Sequence, residues 1–359
     1  MKREILLSFF PKITVKRYRE MLGIFSSLDD VWQAEFDELK KIKWEDNLVH
    51  EFLVWKENLD EKKIHKILEH ENIHCVTQDD DDYPELLKQI YDPPFCLFVR
   101  GELKNDGFNL AVVGTRKFSP YGKQVTEELV GQLATQGITI VSGLAFGIDS
   151  IAHEATLKAG GKTVAVLGTG INDRHIYPAQ HRELANRIIE SGGAIISEYP
   201  PGTLPSKYTF PRRNRIIAGM SLGTLVVEAA KKSGALITSE CAVEAGREVF
   251  AIPQNITSKT GAGSNNLIKM GAKLVTEAQD ILDALNLQDI EEYVTNKEII
   301  PDSPTEAKLL EHLTREPIHV DFLIKQSGLP SPEVNSTLTL MEMKGKVKNL
   351  GNMNYVLSR

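Results

Sequence analysis

Cysteine is nearly absent. Cys75, Cys96 and Cys241 are the three in 359 residues, and they lie far apart. They form no C-x-x-C pair, which argues against a metal site or disulfide framework and predicts a reducing, cytoplasmic setting. No run is long and apolar enough to span a bilayer, so no membrane partner is expected. The start, Met1 to Pro11, has a brief apolar stretch without a small-residue cleavage site and does not read as a signal peptide. No G-x-G-x-x-G occurs, which leaves Gly168-Thr-Gly170 as a weak dinucleotide signal. Gly161-Lys162-Thr163 superficially matches a P-loop. Thr156 stands where its first glycine should be, and a strand follows instead of a helix. His153, His175 and His181 lack metal-ligand spacing, and no Ser-His-Asp set emerges from their order. The reading expects no metal, no cofactor and no catalytic residue.

What is present suits a globular protein. The chain is 42% hydrophobic and 25% charged, with length for two or three domains. Its net charge of −7 argues against a nucleic-acid partner until it is divided along the chain. Residues 1–109 carry 16 basic and 23 acidic side chains, 110–285 carry 18 and 15, and 286–359 carry 8 and 11. Only the middle segment is basic, and binding rests on a local patch rather than on the total.

The middle segment also repeats one logic. Leu110 to Val113 is a short apolar run that breaks at Gly114. Thr115, Arg116, Lys117 and Ser119 follow, and Pro120 opens a helical pattern. In an open α/β sheet such a loop lies at the carboxyl edge, where ligands bind. Backbone N–H groups at a helix start, with an arginine beside them, suit a phosphate. Further strands are predicted at Ile138–Val141, Thr163–Leu167, Ala194–Ile196, Leu225–Val227 and Val249–Ile252. Helical patterns begin near Pro120, Ile148, Pro178, Pro211, Ala235 and Ser264. This alternation predicts an α/β fold with an extended, Rossmann-like, mostly parallel sheet over 79–285. Phe95 to Val99 is expected to join it as an edge strand.

The flanks differ. Residues 1–78 read as a helical domain of the SAM or helix-hairpin-helix kind, and the acidic run Asp79 to Asp82 as a solvated loop. Residues 286–303 read as a linker. Residues 304–359 offer three helices and a hairpin around Gly351-Asn352, the order of a winged helix. Its third helix, Ser331 to Lys344, holds no Lys or Arg before Lys344, with Lys346 and Lys348 after it. That makes a protein contact at least as good a reading as a DNA groove.

Several strands of the middle segment end in loops that could meet phosphates. Ser142, Gly143 and Gly147 follow one, and Gly168 and Gly170 the next, with Arg174 beyond. Phe210-Pro-Arg-Arg-Asn-Arg215 puts three guanidiniums in four residues, with no acid between Lys207 and Arg215. Helical spacing sets Arg212 and Arg215 on one face. Gly263, Ser264 and Asn265 follow the last strand. Phe118, Tyr121, Phe146 and Phe210 are available for base stacking, Phe146 being better suited to the core.

Taken together, these motifs resemble the bacterial DNA-processing protein A family, DprA, also called Smf. The matching stretches are Tyr83-Pro84, Asp92-Pro-Pro94 to Arg100-Gly101, Val113-Gly-Thr-Arg116, Ser142-Gly-Leu-Ala-Phe-Gly-Ile-Asp149 and Ala165-Val-Leu-Gly-Thr-Gly170. They continue through Ser197-Glu-Tyr-Pro-Pro-Gly202, Phe210 to Gly219, Gly246-Arg-Glu-Val249 and Gly263-Ser-Asn265. The resemblance covers about 83–285. It implies a non-enzymatic recombination mediator that binds and protects incoming single-stranded DNA in natural transformation. It also implies self-association and help in loading a RecA-type recombinase. The DNA-binding set it implies is Gly114, Thr115, Arg116, Lys117, Ser119, Ser142, Gly143, Gly147, Gly168, Gly170, Arg174, Phe210, Arg212, Arg213, Asn214, Arg215, Gly263, Ser264 and Asn265. The family's Gly-Ser-Arg loop is Gly114-Thr115-Arg116 here. Where some relatives carry a DNA-binding lysine after Tyr-Pro, this chain has Ala179. A homodimer is expected through late apolar helix positions, Leu267, Ile268, Ile281, Leu282 and Leu285. The alternative is a nucleotide-processing enzyme of the phosphoribohydrolase kind, with Glu228 as its acid near the sugar.

Overall fold

The computed structural model describes residues 1–104, 108–287, 303–310, 312–313, 318–343, 346–349, 351 and 353–357. The chain divides into two compact units, 1–288 and 289–359. The linker expected at 286–303 lies almost wholly outside the described residues, as do Lys344 and Asn352.

The first unit is built on nine strands. They are β1 (His74–Thr77), β2 (Cys96–Gly101), β3 (Phe108–Val113), β4 (Ile138–Ser142), β5 (Thr163–Val166), β6 (Ala194–Ser197), β7 (Gly223–Val226), β8 (Glu248–Ala251) and β9 (Lys273–Leu274). Their spatial order is β1-β2-β6-β5-β4-β3-β7-β8-β9. All neighbours from β6 to β9 run parallel, and β2 is antiparallel to both β1 and β6. Strand order therefore reverses beside β3, with β4 on one side and β7 on the other. Such a reversal opens a crevice at the carboxyl edge.

Period-two alternation explains why the runs form two-faced strands. In β5, Val164 and Val166 join one buried cluster, Ala165 and the following Leu167 another; Leu97 and Val99 of β2 oppose Cys96 and Phe98 in the same way. The first face is covered by Tyr83, Leu87, Ile216, Ile217 and Ala235, and the second by Leu184, Ala185 and Ile188. Tyr83 is fully buried and its hydroxyl donates to the Pro94 carbonyl at 2.6 Å. That bond gives the Tyr-Pro and Pro-Pro pair of the sequence a structural role.

Three expectations are corrected. Phe95 to Val99 does not edge the sheet: β1 lies outside β2, pairing His74 with Val99 and Thr77 with Cys96. The N-terminal helices have a core of their own, around Leu7, Met21, Val31 and Phe52, but fall within the same compact unit as the sheet. Leu6, Val15, Ile64 and Leu68 pack into the same cluster as Phe95 and Phe98, because their apolar faces need the outer sheet face for burial. No α-helix begins at Pro178, where a short 3-10 turn (Ala179–His181) precedes the helix Arg182–Glu190. The acidic run is partly paired. Asp80 accepts from the Thr77 N–H and from Lys2 Nζ, and the Lys2 contact leads the interactions that lower its pKa.

The second unit has helices Pro304–Leu310, Val320–Ser327 and Ser331–Met343 with a small sheet, β10 (Ile318–His319), β11 (Val347–Asn349) and β12 (Asn354–Leu357), in the order β10-β12-β11. Leu309, Leu323, Leu338, Met341 and Tyr355 form its core. Lys346 is drawn inward to Glu306 at 2.6 Å.

One buried group of the first unit sets a pH limit. Thr163 Oγ1 donates to the Ile140 carbonyl at 2.6 Å, so His153 Nδ1, 2.7 Å away, must donate to Thr163. Its Nε2 is then a bare acceptor, buried without a partner among the described residues. Burial pushes the His153 pKa down to about 3, and His181 and Arg213 push the same way. The unfolded chain takes up this proton near pH 6.5 and the folded chain does not. Stability is therefore expected to fall as pH drops from 6.5 towards 3, by up to about 1.4 kcal/mol per pH unit from this group. Urea midpoints at pH 7 and pH 5 should converge in His153→Leu relative to the parent; an unchanged gap refutes the assignment.

Candidate nucleic-acid interface

The loop after β3 is clamped at both ends by one residue. The Thr115 N–H donates to the Glu228 carbonyl at 2.7 Å. Ser119 donates its N–H and hydroxyl to Glu228 Oε2 at 2.9 and 3.0 Å, and its Oγ caps the helix Pro120–Thr135 by accepting from the Gly122 N–H at 3.0 Å. Thr115 Oγ1 in turn accepts from the Lys117 N–H at 3.1 Å. Fixing the two ends leaves Arg116, Lys117 and Phe118 exposed in the middle. Gly147 makes this possible from below. Its φ is +87°, and a Cβ there would meet the Thr115 carbonyl at 2.3 Å. Glu228 is thus a structural clamp, fully buried and absent from the lining of the adjacent cleft. The sugar-binding acid expected of a nucleotide-processing enzyme is not placed to reach a ligand there.

The arginine cluster divides. It lies on the helix Thr209–Gly219, and only Arg212 is half exposed. Arg215 is buried and bonds Glu198 Oε2 at 2.6 Å and Asp92 Oδ2 at 2.9 Å. Burial works against its charge, but Glu198 and Asp92 outweigh that and raise its pKa. Arg212 shares the same acid, 3.8 Å from Glu198 Oε1. The common face of Arg212 and Arg215 is as expected; the missing counter-charge comes from the loop after β6. Arg213 points into the sheet edge, where Nη1 donates to the Val166 carbonyl and to the Gly143 carbonyl at 2.8 Å, and Nε donates to Asn214 Oδ1. Gly143 is required there, since a Cβ would meet that guanidinium at 2.5 Å. Burial lowers the Arg213 pKa to about 10, with Asp149 opposing and Arg116 adding to the shift. Asp149 is also buried, which raises its pKa against the pull of Arg213, and it accepts from the Gly143 N–H. Arg213, Asn214 and Arg215 therefore build the edge instead of presenting free charge.

Other expected groups are also internal. Ser142 Oγ donates to the Val112 carbonyl, and Ser264 Oγ accepts from the Ala229 N–H. Asn265 braces Gln254 through both amide atoms, and Gly263 bonds the Ala229 carbonyl. A Cβ at Gly168 would crowd Phe210 at 3.0 Å, and one at Gly170 would meet the Gly202 nitrogen at 2.8 Å, so both glycines make room for neighbouring protein. Their side chains join neighbouring strands' loops, a use that sequence cannot separate from ligand contact. Arg174 is exposed, but it lines neither pocket beside the Arg116 loop.

What remains open is a cleft of 520 Å³ at the strand-order reversal. Val113, Ile217 and Ala235 form apolar lining, Phe210 and Asn214 further wall, and Arg116, Lys207 and Ser233 polar lining. A smaller pocket adjoins it across Arg116 and Phe210, lined also by Phe146, Tyr177 and Pro178. Phe146 is 41% exposed, so it is not core; Tyr177, in the same smaller pocket, is exposed too, as is Tyr208 next to Lys207. Lys207, its Nζ 5.1 Å from the Tyr208 ring centre, is a cation that sequence reading passed over. A lone lysine carries no pattern to flag it. Among the described residues, no group of three or more His, Cys, Asp or Glu is placed to hold a metal ion, and no helix is long and apolar enough to cross a membrane.

Residues 74–286 match the family model of DNA recombination-mediator protein A, and residues 295–353 match that of the DprA winged helix domain. The chain is 45% identical over 285 residues to protein Smf of Escherichia coli, covering 77% of this chain and 76% of that one. It is 42% identical over 223 residues to DNA processing protein DprA of Bacillus subtilis, covering 62% and 74%. The crystal structure of DNA processing protein A from Streptococcus pneumoniae superposes with a TM-score of 0.66 at 38% identity, over 78% of this chain and 95% of that one. DNA processing protein A from Helicobacter pylori, described for its unique single-stranded DNA binding mode, gives 0.54 at 29% identity, over 61% and 97%.

Proposed function

Because the chain belongs to the DNA recombination-mediator protein A family, we propose that it binds single-stranded DNA along the carboxyl edge of its sheet and delivers the strand to a RecA-type recombinase. By that membership it is a DNA-processing recombination mediator. The carrying observation is the clamped loop that holds Arg116 and Lys117 out beside a cleft with cationic lining and an apolar floor. Arg116 and Lys207 contact phosphates, and Lys207 supplies the second cation that Ala179 lacks. Gly114, Thr115, Gly143 and Gly147 let the loop sit where it does, while Arg213 and Arg215 hold the surface beneath it. Exposed Phe146, Tyr177 and Tyr208 offer ring faces to unpaired bases, which a duplex keeps stacked. The Helicobacter pylori relative, described for its single-stranded DNA binding mode, supports the choice of ligand.

The protein acts in the cytoplasm without catalysis, protecting incoming DNA during natural transformation. It works as a homodimer. Of the helix positions expected to pair, Ile281 and Leu282 are buried; exposed apolar positions late in this unit include Val243, Ile256, Met270 and Leu274. Leu274 lies on β9, the last strand of the sheet, which leaves one edge for a second copy. The test is a titration of the full chain against an unstructured oligonucleotide and its duplex, with light scattering at micromolar protein. Tighter single-strand binding by a dimer is expected. Equal affinity for both forms removes the ligand, and a monomer at every concentration removes the dimer.

A further inference from the structure

We propose that Asp149 is an internal substitute for phosphate: its carboxylate fills the anion cradle at the strand-order reversal, and so selects the phosphodiesters of a strand against the terminal phosphate of a free nucleotide. This rests on the single-strand reading above. The fold itself poses the problem. A crevice where strand order reverses, with glycine-bearing loops and a helix start on its rim, is the usual seat of a nucleotide's phosphate. The rim here has those parts. Gly114 follows β3, and Gly143 and Ala145 follow β4. Gly114, Ala145 and the guanidinium-bearing Arg213 line the cleft, and Gly143 lines the smaller pocket beside it.

A side chain already sits where these groups converge. Asp149 is the second residue of the helix Ile148–Lys158 and is 6% exposed. Its Oδ2 accepts from the Gly143 N–H at 3.2 Å. Burial raises its pKa, while Arg213 and the N–H groups of Ala145, Gly143 and Gly114 all pull it back towards the carboxylate. Donors from two loops and one guanidinium are thus directed at a single acid, the set that a bound phosphate would otherwise take. The helix start offers no replacement. The Ile148 N–H donates to the Thr115 carbonyl and the Ser150 N–H to the Ala145 carbonyl, each at 3.2 Å. The two glycines are closed as well. A Cβ at Gly114 would strike Ile148 at 2.5 Å, and one at Gly143 would strike the Arg213 guanidinium at 2.5 Å, so their bareness admits protein and not a ligand. An incoming phosphate would have to displace Asp149 or lie against its charge, and like charges so placed repel strongly. Outside the rim, Arg116 and Lys207 are exposed. A strand meets them with several phosphates in succession, whereas a mononucleotide has one to offer.

The test removes the carboxylate and supplies the anion. Full-length parent, Asp149→Asn and Asp149→Ala are titrated with thymidine monophosphate and with an oligothymidylate. Their thermal unfolding is followed in inorganic phosphate against chloride of equal ionic strength. Asp149→Asn keeps the size of the side chain and an acceptor for the Gly143 N–H, and loses the charge. Asp149→Ala clears the space as well. Affinity for the mononucleotide relative to the strand should rise about 10-fold or more in Asp149→Ala, and by less in Asp149→Asn. Phosphate should raise the melting temperature of Asp149→Ala above its value in chloride, and leave the parent at its chloride value. Should Asp149→Ala unfold in plain buffer, refolding by phosphate and not by chloride is the expected sign of the same site, and Asp149→Asn still reports the ratio. An unchanged ratio in the folded variants, or a parent that binds the mononucleotide as tightly as they do, overturns the role of Asp149 and leaves the strand-binding reading intact. A parent that does not bind the oligothymidylate removes the strand reading and the selectivity with it, while a phosphate response in the variants would still mark the filled cradle.

Discussion

Arg215→Ala is expected to destabilise the first unit by about 3–5 kcal/mol, the usual cost of removing one partner from a buried ion pair. Its guanidinium joins Asp92, in the turn before β2, to Glu198, in the loop after β6. The Glu198 side chain is itself buried, with Arg212 as its other cation at 3.8 Å. Removal of Arg215 would leave that carboxylate without its close cation. Thermal and urea unfolding by circular dichroism should show the loss, and it should occur in the absence of DNA. Arg215→Met combined with Glu198→Leu should recover part of it, because two apolar side chains leave no orphaned charge. A single variant as stable as the parent would show that the pair is not structural. An alanine scan of Arg212, Arg213 and Arg215 together would therefore confuse loss of fold with loss of binding.

Arg116→Ala should behave in the opposite way. The side chain is exposed and no salt bridge holds it among the described residues, so its removal should leave stability unchanged. Single-strand affinity should fall about 10- to 100-fold, in keeping with hydrogen bonds to a charged group. The slope of log affinity against log salt should lessen by about 0.7, one phosphate contact, and by about twice that in Arg116→Ala/Lys207→Ala. Oligonucleotide titrations from low to high salt measure both quantities. Unchanged affinity and slope in a folded variant would place the DNA elsewhere.

The sheet was legible because each strand is a short apolar run ended by glycine or a polar turn. All six strands expected between 110 and 285 form within a few residues of their expected bounds. β1 was not legible: His74-Cys-Val-Thr77 is short and follows a long helical pattern, and pairing with β2 fixes it from outside. The Arg116 loop could be read as exposed from its own residues. The arginines after Phe210 could not, because their partners are distant in the chain. Asp92 and Glu198 neutralise Arg215, and the Gly143 and Val166 carbonyls receive Arg213. Local charge density shows how many cations a segment has, while burial and partners, which decide their use, belong to the folded chain. Phe146 errs in the other direction. It was expected in the core, yet it lies in the loop between β4 and the helix Ile148–Lys158, where its exposed ring meets His181 edge-on at 4.9 Å.

The Glu228 clamp bears on the speed and cost of encounter. A flexible basic loop must surrender its own freedom when it grips a strand, and that entropy opposes binding. Here the backbone on both sides of Arg116 is already tethered before any DNA arrives. The ordering penalty then falls mainly on the strand and on the arginine's own rotamers. Capture can proceed near the rate at which the two collide, with ionic attraction quickening the approach. Release is governed by how many contacts let go at once.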